Sequence, residues 1–224
     1  MSGRLHGKVA VVTGAGSSGE GVGNGKATSI LFAREGANVV LVDSVLERAE
    51  ETANLIRKEG GEAIVIEADV TSSSDCERMI DEAVKSFGRL DILDNNVGIS
   101  TRADVLEVTE AQWDHIMAVN VKSIVMTSKY AIPAMIKTGG GVIINISSIA
   151  GLRANSSTPY TTSKAAVIGL TLSMAGDHGR DGVRVNCIAP GLVYTPMVAP
   201  RMDQSLRQIR QEASPLGTEG TAWD

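Results

Sequence analysis

Residues 8–43 read "KVAVVTGAGSSGEGVGNGKATSILFAREGANVVLVD". A Val-rich run, a glycine-rich turn, a helical pattern and a second Val-rich run ending in Asp43 follow one another without a break. Six of the twelve positions between Thr13 and Lys26 are glycine. In the helical part Ala27, Ile30, Leu31 and Arg34 recur at helical spacing, and Gly36 stands where a C-cap belongs. The two Val-rich runs are apolar without alternation, as strands covered by helices on both faces must be.

The same alternation continues along the chain. Further strand-like runs are "EAIVIEAD", "LDILDNN", "GVIINISS" and "VRVNCIAP", and helical patterns fill 45–59 and 74–87. Strand and helix alternating in this way predict a doubly wound α/β fold with a mostly parallel sheet and helices on both faces, because right-handed crossovers place successive parallel strands side by side. No repeat, low-complexity tract or linker divides the chain, so 1–224 is expected to be a single domain.

Composition narrows the partners. The chain has 224 residues, is 43% apolar and carries a net charge of -5 with no long Lys/Arg cluster. That argues against nucleic acid or an anionic membrane as partner and for a small ligand. No apolar signal core precedes the first strand, and "AAVIGLTLSMA" is too short and interrupted to span a bilayer, so the protein is expected to be cytoplasmic. Cys76 and Cys187 share no metal or redox spacing and are read as buried reduced thiols. His6, His115 and His178 are scattered, which favours surface or packing roles and no metal site.

In such a sheet, ligands bind outside the carboxyl ends of the strands. The first strand ends in the glycine run, where backbone N–H groups can approach a phosphate that the next helix's N-terminus also attracts. The second ends at Asp43, placed to accept hydrogen bonds from an adenosine ribose and to repel a 2'-phosphate. No Arg or Lys lies between Thr13 and Lys26 or just after Asp43, and Glu20 adds negative charge, so NAD is expected over NADP. Asp43 as a helix N-cap is a compatible alternative. Of the three tyrosines, only Tyr160 has a lysine one helical turn on, Lys164 in "YTTSK". On one helix face the ammonium is expected to favour phenolate and lower the tyrosine pKa.

The companions of that pair are "INISSIAG" ending the fifth strand, "NNVG" ending the fourth, Asn120 in "MAVNVKS", and "RVNCIAPGLVYTP" running into a Pro-Gly turn. With these motifs in order over nearly all of its length, the chain resembles a short-chain dehydrogenase/reductase of the oxoacyl-carrier-protein reductase-like group. The resemblance implies a catalytic tetrad of Asn120, Ser148, Tyr160 and Lys164. Tyr160 exchanges a proton with the substrate oxygen, Ser148 holds that oxygen, Lys164 binds the nicotinamide ribose, and Asn120 orders a relay water. It also implies cofactor contacts at Asp69 and Val70 by the adenine, Asn95 by the adenosine ribose, Pro190 and Gly191 in the turn, and Val193 and Thr195 at the carboxamide. The glycine run is put in register by "GNGKA", which makes Gly14, Gly23 and Gly25 the cofactor glycines and "GSSGEGV" an insertion; the competing register uses Gly14, Gly19 and Gly21.

Departures from the resemblance are informative. The serine-to-tyrosine spacing is one residue short, which leaves Ser147 as a rival to Ser148. Asp94 replaces an apolar residue in the fourth strand and must be hydrogen-bonded or at the sheet's rim. Members of the group continue with a further helix and a seventh strand, so the chain is expected to be C-terminally truncated, with the edge of "VRVNCIA" unpaired. Homodimer or homotetramer contacts through the helices around 109–137 and 157–178 would survive. The expected activity is hydride transfer between a secondary alcohol or ketone and NAD. Two alternatives are a non-catalytic NAD-binding or regulatory protein and an enoyl-thioester reductase. The latter's lysine position, seven residues after the tyrosine, holds Val167 here. The segment 192–217 is read as a mobile lid whose apolar residues Val193, Met197, Val198 and Met202 either line a pocket or pack within the fold. "LRANSS" at 152–157 is read as another wall, with Asn155 its polar candidate.

Overall fold

The computed structural model describes residues 3–153 and 157–224; the candidate Asn155 lies outside them. Six parallel strands form one sheet: β1 (Val9–Thr13), β2 (Asn38–Asp43), β3 (Ala63–Glu67), β4 (Ile92–Asn95), β5 (Gly141–Ile146) and β6 (Val183–Ile188). Their order is β3-β2-β1-β4-β5-β6. The order reverses between β1 and β4, and the crevice that ligands use in such sheets opens there. Six helices connect or flank the strands: α1 (Asn24–Arg34), α2 (Leu46–Lys58), α3 (Ser73–Phe87), α4 (Glu110–Met117), α5 (Ser123–Lys137) and α6 (Thr158–His178).

Alternate residues of each strand feed two cores. Val9, Val11, Val40, Val42, Leu93 and Ile143 pack against Met79, Ile80, Ile124, Met135 and Val167 of α3, α5 and α6. Ala10, Val12, Val39, Leu41 and Ile92 pack against Ile30, Ala49, Ala53 and Ile56 of α1 and α2. Gly36 ends α1 at φ +91, and the hydrogen bonds from Gly36 N to Ala33 O (2.9 Å) and Ala37 N to Phe32 O (3.0 Å) complete a Schellman turn.

The expected sheet with helices on both faces is present, and the cover is complete at β1 and β2 and thinner at β5 and β6. On the face shared with α1 and α2, Val142, Ile144 and Ile146 are only half-buried, and Arg184, Asn186 and Ile188 are exposed. Among the described residues no helix covers them and no seventh strand joins the sheet there, so β6 is the edge strand. Asp94 departs from both sequence alternatives. It is 1% exposed in the middle of the sheet, in register with Val12 and Ile144, and its Oδ1 has no hydrogen-bond partner.

Beyond the sheet, β7 (Val193–Tyr194) pairs in parallel with β8 (Gly220–Thr221), and α7 (Gln204–Ala213) lies between them in sequence. Buried Glu219 fastens α7 by accepting from Arg210 Nε (2.6 Å) and Arg207 Nε (3.0 Å), while Arg207 stacks on Tyr194 at 3.9 Å. No described helix is long and apolar enough to cross a membrane. Cys76 is buried and Cys187 half-buried, both as free thiols.

Candidate active site

A cleft of about 530 Å³ runs along the carboxyl ends of β1, β2, β4 and β5. Its first wall is the glycine turn. Gly14 takes φ +65, a left-handed conformation that side chains resist. The helix starts at Asn24 with Gly23 as N-cap, and the Gly23 N–H donates to Ser17 Oγ at 2.9 Å. Any Cβ on Gly25 would collide with the Gly14 carbonyl, so only glycine lets α1 press onto the first turn. The free N–H groups of α1's first turn therefore face the cleft beside Gly14, Gly23 and Gly25, an arrangement suited to a pyrophosphate. Gly19 and Gly21 lie instead near Pro196.

Asp43 closes β2. Its Oδ2 accepts from Gly16 N (3.1 Å) and its Oδ1 from Val45 N (3.1 Å), so the carboxylate is held in place with lone pairs left over. Asp69, Val70 and Arg48 line the same end. Arg48 comes from the first turn of α2 and was not foreseen; it brings a cation into the pocket region where the sequence showed only carboxylates. Asn95 corrects an expectation. It is 3% exposed and does not line the cleft, because its amide accepts from Thr127 Oγ1 (2.7 Å) and donates to Asn145 Oδ1 (2.9 Å). Asn145 in turn donates to Thr171 Oγ1 at 3.0 Å, so a buried polar chain crosses α5, β4, β5 and α6. The neighbouring Asn96 is the residue that lines the cleft, anchored by donating to Gly14 O at 3.2 Å.

At the other end stand Ser148, Tyr160 and Lys164, with Pro190, Gly191, Val193 and Thr195 opposite. Both serines border the cleft, and their hydrogen bonds separate them. Ser147 is buried and donates to Lys164 O at 2.6 Å, which spends its hydroxyl on the fold. Ser148 lines the cleft beside Tyr160 and accepts from Ala150 N at 3.1 Å. Lys164 is 4% exposed; its Nζ donates to Ile146 O at 2.7 Å and lies 5.9 Å from the Tyr160 ring centre.

The electrostatics correct one expectation. The Tyr160 pKa lies above that of an ordinary phenol: burial raises it, and the neighbouring Ser148 hydroxyl opposes the rise. Burial also pushes Lys164 down to about 8. The dry floor of the cleft thus disfavours both charges, and the lysine's nearness alone does not make a phenolate.

Asn120 sits in a π-helical turn, Ala118–Lys122, between α4 and α5. Such turns recur at functional sites because the extra residue redirects side chains. Its side chain does not line the cleft. It accepts from Ile99 N (2.8 Å) and donates to Ile99 O (2.9 Å) and Ser163 Oγ (2.9 Å), tying the loop after β4 to α6. Both amide hydrogens are used, which leaves only a lone pair on Oδ1 for any water. His115, read from sequence as packing or surface, lines the cleft with Ile99 and Val119. From the lid segment, Val193, Met197 and Val198 line it and Met202 does not. Leu152 and Arg153 of the other expected wall are exposed and do not line it.

A profile of the short chain dehydrogenase family matches residues 8–206. An uncharacterized oxidoreductase of Thermotoga maritima is 44% identical over 202 residues, covering 90% of this chain and 78% of the relative. The meso-2,3-butanediol dehydrogenase of Serratia marcescens is 39% identical over 195 residues, covering 87% of this chain and 74% of that protein. Among solved structures, a 7α-hydroxysteroid dehydrogenase complexed with NADH and 7-oxo-glycochenodeoxycholic acid superposes with a TM-score of 0.92 at 34% identity, covering 98% of this chain and 84% of that one. The cleft at the reversal of strand order, the glycine turn beneath α1 and the Ser148–Tyr160–Lys164 cluster sit in a chain that these likenesses identify as a short chain dehydrogenase, an oxidoreductase.

Proposed function

We propose that the chain is an NAD-dependent oxidoreductase acting on a secondary alcohol or its ketone, with Tyr160 as the acid/base. The reading is supported above all by the meeting, in one cleft, of a hydroxyl pair and a buried lysine opposite a glycine turn that leaves room for a pyrophosphate. NAD, when bound, supplies the hydride acceptor and donor. Gly14, Gly23, Gly25 and the first turn of α1 would hold its pyrophosphate. Asp43 would accept from the adenosine ribose, with Asp69 and Val70 beside the adenine, and Pro190, Gly191, Val193 and Thr195 would flank the nicotinamide end. The fixed Asp43 carboxylate favours NAD over NADP; Arg48 tempers that preference.

In alcohol oxidation Ser148 fixes the substrate oxygen and Tyr160 takes its proton; in ketone reduction Tyr160 returns it. Burial keeps Tyr160 protonated at neutral pH, which suits the reductive direction as drawn. In the oxidative direction, Lys164 moves it toward phenolate only when its ammonium is retained and oriented, through the ribose contact it is placed to make. Asn120 braces the Ile99 loop against α6, and its Oδ1 can order a relay water. Val167 is buried in the core, which speaks against a lysine at the enoyl-reductase position. We further propose one domain over 1–224, a cytoplasmic location, and a homodimer or homotetramer. Tyr160→Phe is the deciding experiment: with NAD and a panel of secondary alcohols, NADH formation should fall by about 100-fold or more, and turnover that survives would refute the mechanism. Binding of NAD without turnover of any alcohol or ketone would favour a binding protein.

A further inference from the structure

The rim of the cleft carries cations that the reading above leaves unused. Arg201 ends a short 3-10 turn, Ala199–Arg201, in the lid segment. Its N–H donates to Val198 O at 3.0 Å, and Val198 lines the cleft. Its guanidinium crosses to the opposite wall, where Nη1 donates to Ser100 Oγ at 3.4 Å. Ser100 follows Ile99, which lines the cleft and is held by Asn120. The guanidinium therefore links the lid segment to the loop after β4, next in the chain to residues that line the cleft, exposed and, among the described residues, with one long hydrogen bond for its five donors.

Arg4, Arg34, Arg57, Arg78, Arg89, Arg207 and Arg210 are ion-paired, whereas Arg201, like Arg48, Arg102, Arg153, Arg180 and Arg184, has no ion pair among the described residues. The nearest acid in sequence, Asp203, is turned onto α7, accepting from Leu206 N at 2.8 Å. Arg102 is an exposed cation on the same loop as Ser100. Its neighbours Thr101 and Ala103 accept from Ser157 Oγ and Thr158 N at the start of α6, so it too sits on a fixed rim. In a chain of net charge -5, unpaired arginines over an apolar-walled mouth form a local anion attractor.

We propose that Arg201 binds an anionic oxyacid group, a carboxylate, sulfonate or phosphate, at the end of the substrate remote from the reacting carbon, with Ile99, Met197 and Val198 enclosing the carbon chain between. The protein is then a dehydrogenase of hydroxy acids or their phosphate or sulfonate counterparts rather than of neutral alcohols. Guanidinium suits this task because it is permanently charged and grips two oxygens at once. The inference rests on the hydride-transfer reading of the same cleft.

The test compares 4-oxopentanoate and 3-oxobutyl phosphate with the methyl ester of the former and with 2-pentanone. Turnover with NADH gives kcat/KM, and calorimetric titration of the NADH-bound protein gives affinity independently of turnover. In the native protein the anions should outperform the ester about 10- to 100-fold, the range of a charge-assisted hydrogen-bonded contact. Arg201→Ala should abolish that ratio and Arg201→Lys should restore part of it. A native protein that binds the ester as well as the acid, or a ratio untouched by Arg201→Ala, overturns the proposal. Preference for carboxylate over phosphate, or the reverse, identifies the head group. Should Tyr160→Phe keep full turnover while the anion preference still follows Arg201, the mechanism falls and the anion site stands.

Discussion

Asp94 offers the sharpest quantitative test of the structure. Its carboxyl is fully buried, Oδ1 is without a partner, and burial pushes its pKa to about 7 from the ordinary 3.8. A carboxyl whose folded pKa is raised contributes stability that is complete below the unfolded pKa and is lost as pH rises through the folded one. The window here runs from about pH 4 to about pH 7. Each pH unit within it costs about 1.4 kcal/mol, so the two units between pH 5 and the folded pKa amount to about 3 kcal/mol. Asp94→Asn keeps the shape and removes the titration. Denaturant unfolding of both proteins at pH 5 and pH 8, extrapolated linearly, should show the variant gaining about 3 kcal/mol on the native protein over that interval. The amide's own packing shifts both points equally and cancels in the comparison. A difference between the two proteins that is the same at both pH values would refute the burial of an unpartnered carboxyl at this position.

Ser148→Ala is expected to lower kcat about 100-fold with little change in Tm, whereas Ser147→Ala, which strips a buried partner from the Lys164 carbonyl, should lower stability by about 1–3 kcal/mol; reversed outcomes would exchange the roles of the two serines. Asp43→Ser should raise the KM for NAD about tenfold and improve use of NADP, since it removes the repelling carboxylate and leaves Arg48 in the cleft; steady-state kinetics with both cofactors measures the switch. Gly25→Val should cripple cofactor binding and soften the fold, because its side chain would have to push α1 off the Gly14 carbonyl; NADH titration and thermal unfolding read the two effects separately.

Much of this architecture is legible in the residue order. The unbroken apolar runs announce parallel strands, and "GNGKA" locates the start of α1 at the third of the glycine clusters, where the structure begins it. The Tyr160–Lys164 pair is visible because helical spacing alone puts both on one face. What is not legible is which polar groups the tertiary structure consumes. Asn95 and Ser147 look as available as Asn96 and Ser148 in the sequence. Only the packing of α5 and α6 on β4 and β5 shows that the first two are spent on internal hydrogen bonds. Arg48 escapes notice because one helical turn, not sequence adjacency, carries it back toward Asp43. The raised Tyr160 pKa is likewise invisible to spacing, since it comes from the dryness of the surroundings and not from a neighbour.

The chain of hydrogen bonds from Thr127 through Asn95 and Asn145 to Thr171 bears on how such a protein can change. It cross-bolts the two strands and two helices beneath the Ser148–Tyr160 end of the cleft, at positions that do not line it. The loops after β4 and after β6 that border the cleft take no part in this chain of bonds. Their sequences can therefore drift or lengthen while the Ser148–Tyr160–Lys164 cluster below keeps its place.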